Sequence, residues 1–185
     1  MTSVILVVVI AIVVVLAGAA LLAQPYLRRK RLRHRFGSEY DHALEHTEDR
    51  HAAERELVER ERRHDSLELR ALTSERKHEF TEAWTSVQER FVDEPADAVR
   101  EADQLITTVM AERGYPTEGF DQQVADLSVE HAATLGHYRD AHLIATKHAQ
   151  GQASTEDLRT AIVHYRALFL DLTDSHTTHK KDTVS

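Results

Sequence analysis

The stretch Ser154 to Leu172, reading STEDLRTAIVHYRALFLDL, sets the architecture of this chain. Leu158, Ala161, Ile162, Tyr165, Leu168, Phe169 and Leu172 recur at steps of three and four, the spacing that gathers side chains on one face of an α-helix. Ser154 and Asp157 precede that stripe as a capping box, with Asp where Glu or Gln is usual. A helix with so complete an apolar face must bury it against other helices.

Working back toward the N-terminus, the same kind of stripe repeats. Thr73 or Ser74 caps a helix carrying Phe80, Ala83, Trp84, Val87 and Phe91. Pro95 opens the next, lined by Ala98, Ala102, Leu105, Ile106, Val109 and Met110, and Gly114 closes it. The turn Tyr115–Pro116–Thr117 leads to a short helix with Phe120, Val124 and Leu127. Ser128 is then the expected cap of a helix bearing Leu135, Tyr138, Ala141, His142 and Ala145 that ends near Gly151. No strand pattern competes outside the N-terminal apolar run, so the fold class is all-α. Residues 73–173 form a bundle of four or five antiparallel helices, followed by a polar, unpatterned tail over 174–185 that is expected to be disordered.

Between this bundle and the N-terminus lie two different segments. Residues 39–72 are dominated by Glu, Arg, Ala, Leu and His, and Glu39 to Leu69 reads as one long, mostly exposed helix, a charged stalk with apolar positions too sparse for a heptad seam. Ahead of it, Val4 to Ala23 is an unbroken apolar run, long enough as a helix to cross the roughly 30 Å of a bilayer's hydrocarbon. A secretory signal peptide competes for this run, but it calls for positive charge before the apolar residues, and only Met1, Thr2 and Ser3 stand there. The cations follow instead: Arg28, Arg29, Lys30, Arg31, Arg33 and Arg35. Residues 1–27 are therefore expected to be a single-pass transmembrane anchor and 28–38 a basic juxtamembrane segment facing lipid headgroups. That arrangement puts the N-terminus outside and the C-terminal domain on the cytoplasmic side of the cell membrane.

Composition excludes several functions. The net charge is −8, and setting aside those six cations leaves −14 for Phe36 to Ser185, which repels phosphate backbones and argues against nucleic acid as a partner. There is no cysteine, hence no disulfide, thiolate zinc site or thiol nucleophile. Phosphate-binding glycine loops and the GxSxG elbow are missing. HExxH is begun by His78 and Glu79, but Glu82 stands where the second histidine belongs.

The 13 histidines are the remaining source of chemistry. His42 and His46, four apart, share a helix face and can chelate a metal weakly. Glu48 with His51, Glu61 with His64, and Glu75 with His78 are ExxH pairs, the unit of di-iron carboxylate bundles. Most of these residues fall in the exposed stalk, so a solvated charged face explains them better than a ligand set. His142 and His164, on or near apolar stripes, read as hydrogen-bonded interior histidines. The leading expectation is a non-enzymatic module without cofactor or metal. Its partners are the bilayer, through Val4 to Ala23, and another protein or a second copy of itself. The alternative is a metal-binding or di-iron protein using the ExxH pairs.

Trp84 to Pro116, WTSVQERFVDEPADAVREADQLITTVMAERGYP, resembles a segment of uncharacterised bacterial proteins that are common as single-pass membrane proteins of actinobacteria. RFGSEYDHAL, LSVEHAATLGHYRDAH and STEDLRTAIVHYRALF are similar to other parts of the same group. The resemblance implies the same membrane-anchored helical layout and carries no activity, substrate or catalytic residue with it.

Overall fold

The structure is a computed structural model that describes residues 24–47 and 49–174. The apolar run Val4–Ala23, Glu48 and the tail from residue 175 lie outside the described residues. Among the described residues there is no strand, and no helix is long and apolar enough to cross a membrane.

Among the described residues eight helices follow one another: α1 (24–36), α2 (Ser38–Glu45), α3 (Arg50–Asp65), α4 (Ser74–Arg90), α5 (Pro95–Arg113), α6 (Phe120–Leu127), α7 (Ala132–Ala149) and α8 (Thr155–Asp174). They fall into two compact units, residues 1–58 and 59–185, with the boundary inside α3.

The single long helix expected over Glu39–Leu69 is two helices, α2 in the first unit and α3 running from it into the second. His46 closes α2 at φ −97°, and its N–H donates to the His42 carbonyl. The Asp49 carboxylate then accepts from the backbone N–H groups of His51 (3.0 Å) and Ala52 (3.2 Å), satisfying the orphan donors of a new helix start. The helices are not mostly exposed either. Leu32, Phe36, Tyr40, Ala43, Ala53 and Leu57 are buried. Glu54, buried among them, accepts from the Tyr40 hydroxyl at 2.9 Å.

The second unit is the helical bundle, and its local signals are those read from the sequence. Thr73 Oγ1 accepts from the Arg76 N–H, and Pro95 occupies the first turn of α5. Gly114 ends α5 in the left-handed region at φ +91°. Ser154 Oγ accepts from the Asp157 N–H at 3.2 Å while Asp157 Oδ2 accepts from the Ser154 N–H at 2.8 Å, the reciprocal pair of a capping box. Ser128 departs from expectation. It caps the C-terminus of α6, its hydroxyl donating to the Ala125 carbonyl, and α7 starts only at Ala132 after His131.

The apolar stripes of α4, α5, α7 and α8 meet in one core. Ala98, Ala102, Ala141 and Ala161 are wholly buried within it, small side chains that allow helix axes to approach. Trp84 of α4 stacks on Phe169 of α8, ring centroids 4.8 Å apart. Each large apolar side chain so buried contributes about 1.5–3 kcal/mol, which is why the stripe residues and not the charged faces hold the bundle together.

Long helices that follow one another alternate in direction, as short connections require. α4 and α5 are antiparallel, paired through Arg90–Glu101 at one end and Arg76–Glu112 at the other. α7 and α8 are antiparallel too, with Thr134 beside Asp171 and Asp140 beside His164. But α5 and α8 run parallel: the Tyr165 hydroxyl donates to Asp103, and ten residues further along α5 Arg113 reaches Leu172. The cause is the α6 connection, which turns the chain at the end where α5 finishes, so that α7 descends and α8 returns beside α5.

Candidate functional site

Three places gather polar chemistry among the described residues: a buried network at the end of the bundle where α5 and α8 finish, the basic residues of α1, and a histidine-rich face of α2.

The network centres on Arg113, the last residue of α5 and the largest fully buried side chain described. Its Nη1 donates to the Leu172 carbonyl at 3.0 Å and lies 3.4 Å from His131 Nε2, while the guanidinium carbon sits 5.7 Å from the centre of the Tyr115 ring. His131 Nδ1 lies 3.0 Å from Asp171 Oδ2, close enough for an ion-pair contact but off the line of a good hydrogen bond. Thr134 Oγ1 donates to the same carboxylate oxygen at 2.7 Å. Beyond Tyr115, its hydroxyl donates to Glu130 at 3.4 Å, and Glu130 also lies 3.7 Å from His64 Nε2. Burial first, and the Glu130 carboxylate second, push the Tyr115 hydroxyl well above the ordinary tyrosine range. Asp126, wholly buried, faces Arg63 Nε at 3.2 Å and accepts from Gln122 at 2.8 Å.

A carboxylate behind an imidazole is the pair that orients a general base. Here the far nitrogen of His131 faces a guanidinium, not a hydroxyl that could serve as nucleophile, and the ring is fully buried. With its proton on Nδ1, the ring accepts from Arg113 and faces Asp171, a pairing that ties the ends of α5, α7 and α8 together. The arrangement is a polar lock, and its energetic logic is that each buried polar group must find a partner.

The basic residues Arg28, Arg29, Lys30, Arg31, Arg33 and Arg35 are all exposed on α1, whose Leu32 and Phe36 turn inward. Part of the cluster is engaged within its own unit. Arg28 donates to the Glu54 carbonyl at 3.2 Å, Arg29 lies 3.8 Å from the Glu54 carboxylate, and Arg33 pairs with Asp41 at 2.8 Å. The Asp41 hydrogen bond, then its charge, hold the Arg33 guanidinium above its ordinary range.

The ExxH pairs do not converge. Glu75 and His78 stand exposed on α4, where His78 instead contacts Glu82 at 3.4 Å. His64 is buried against Glu130, and Glu48 lies outside the described residues. His142 and His164 are only half-buried. His142 stacks on Phe120 at 3.8 Å, and His164 lies 3.9 Å from Asp140, with neither Nδ1 hydrogen-bonded. The interior histidines are His64 and His131, both at helix ends, where no apolar period announces burial. The metal-capable grouping among the described residues is His42, Glu45 and His46 on α2, whose donor atoms lie within 4.8 Å of one another. The five residues HALEH that contain it read H-x-x-E-H, the reverse of HExxH, a helical order in which both histidines face one side.

No family model, no curated protein and no solved structure matches this chain.

Proposed function

We propose that this protein is a membrane-anchored, non-enzymatic helical module that presents its bundle on the cytoplasmic side to another protein or to a second copy of itself. The observation that carries this reading is the order of the N-terminal sequence: twenty apolar residues, Val4 to Ala23, then after Gln24 to Leu27 six cations between Arg28 and Arg35. An apolar rod of that length lodges in the hydrocarbon, and lysine and arginine beside it stay on the cytoplasmic face, where they also meet anionic headgroups. Support for a binding role comes from the bundle. Leu143 on α7 and Val163 and Leu170 on α8 are exposed apolar residues, while the polar network at the bundle end is turned inward onto its own partners.

The test has two arms in cells producing the full chain. Fractionation with protease digestion of intact spheroplasts should leave the protein in the membrane with its C-terminus protected. Protein released into the medium and trimmed ahead of Gln24 would refute the anchor. Chemical crosslinking should capture a defined partner or a homo-oligomer, whereas recovery of nothing but free monomer would refute the binding role.

A further inference from the structure

We propose that the face of α2 formed by His42, Glu45 and His46 is a divalent transition-metal site, zinc being the metal its ligands fit best. The three residues stand at positions i, i+3 and i+4, His42 and Glu45 in α2 and His46 at its C-cap, a spacing that puts their side chains on one side of the helix end. Their donor atoms lie within 4.8 Å of each other. Zinc bonds of about 2.1 Å in tetrahedral geometry need donors about 3.4 Å apart, a gap that small side-chain rotations close. Two imidazoles and a carboxylate are a set that zinc takes while keeping a position for water.

A second, independent observation concerns His46. Its Nδ1 lies 2.9 Å from the His42 carbonyl and donates its proton there, so the Nε2 lone pair is the one left to bind. Metal-ligating histidines are oriented in this way, by a backbone carbonyl that fixes the tautomer and the ring. The two rings sit 4.1 Å apart, tilted by 45°. His42 is half-buried while Glu45 and His46 are exposed, which leaves one side of the metal to protein and the other to water. By contrast the ExxH pairs supply one histidine each and are not brought together among the described residues.

Zinc titration of the full chain in detergent micelles, without a polyhistidine tag and against a chromophoric chelator, tests this. One equivalent should bind at neutral pH, with affinity falling on acidification because imidazole ligates only when neutral. His42→Ala and His46→Ala should each weaken binding at least about tenfold, as losing a ligand costs no less than losing its supporting partner. His46→Gln guards against a loosened α2, with circular dichroism as the check, and His78→Ala should leave affinity unchanged. The absence of stoichiometric zinc, or binding that survives His42→Ala and His46→Ala together, would overturn the proposal.

Discussion

Arg113 donates from Nη1 to the backbone carbonyl of Leu172 at 3.0 Å, joining the last turn of α5 to the last turn of α8 in the bundle interior. A helix leaves its final carbonyls without intrahelical donors, and a buried end must find them elsewhere. The guanidinium supplies one donor there and a contact to His131 besides. Removing it strands a carbonyl and an imidazole in the interior and leaves a void. Arg113→Ala should therefore destabilise the protein by roughly 3–5 kcal/mol, and Arg113→Met, which keeps the volume, by less. Urea denaturation followed by far-ultraviolet circular dichroism reads both. A loss under about 1 kcal/mol for the alanine variant, the size of one ordinary hydrogen bond, would mean the network is no lock.

Two glycines separate backbone conformation from close approach. Gly114 and Gly151 both adopt positive φ, +91° and +72°. A Cβ on Gly114 would stand 2.6 Å from the Glu68 carbonyl oxygen, whereas one on Gly151 meets nothing within 4 Å. The neighbouring backbone is fixed there, since the Arg70 N–H donates to the Arg113 carbonyl at 3.0 Å. Gly151→Ala should cost about 1 kcal/mol for left-handed strain alone, and Gly114→Ala clearly more, up to about 3 kcal/mol. Equal losses in the same denaturation experiment would remove the contact with Glu68 from the account.

The difference between what was legible and what was not follows the range of the interaction. Thr73, Pro95, Gly114 and Ser154 act within a few residues of themselves, so their types and spacing announce the helix ends they make. Asp49 is equally local, but it sits in a charged run without glycine or proline, where a break leaves no composition shift. The parallel pairing of α5 with α8 depends on contacts such as Asp103 with Tyr165, sixty-two residues apart, and periodicity is silent about helix direction. His64 and His131 are buried by tertiary closure at helix ends rather than by a stripe. The spacing of His42 and His46 is legible, but Glu45 joins them only in the reversed order HALEH, which the forward zinc pattern does not mark.

The Asp103–Tyr165 pair offers a direct measure of that long-range contact. The phenol donates to Oδ1 at 2.9 Å across the α5/α8 contact. Tyr165→Phe keeps the ring and removes the donor, so stability should fall by about 1 kcal/mol, somewhat more because the acceptor is charged. A double-mutant cycle with Asp103→Ala should return a coupling near that figure. Zero coupling would dissociate the hydrogen bond from the parallel packing.

Alkaline pH tests the bundle through its tyrosines. Tyr115, Tyr138 and Tyr165 are buried, and burial above all, with Glu130 near the first and Asp103 near the other two, raises each phenol well above its ordinary value of 10.0. A group whose folded-state value is raised favours the protonated form in the fold. Its contribution to stability is complete below pH 10, where the unfolded chain also holds the proton, and declines as pH climbs from there toward the folded-state value. These three phenols should thus ionise only as the bundle opens. Phenolate absorbance from these three is expected to appear in step with the loss of the bundle's helical dichroism, while Tyr40, buried in the first unit and raised by burial and then by its hydrogen bond to Glu54, reports on that unit separately. Tyr138→Phe should reduce the steepness of that alkaline decline, because one fewer buried proton is released on unfolding. Full ionisation of all three while the helical signal stays native would show that the interior around Asp103 and Glu130 is open to hydroxide, and the closed network drawn from Arg113 to His64 would fall with it.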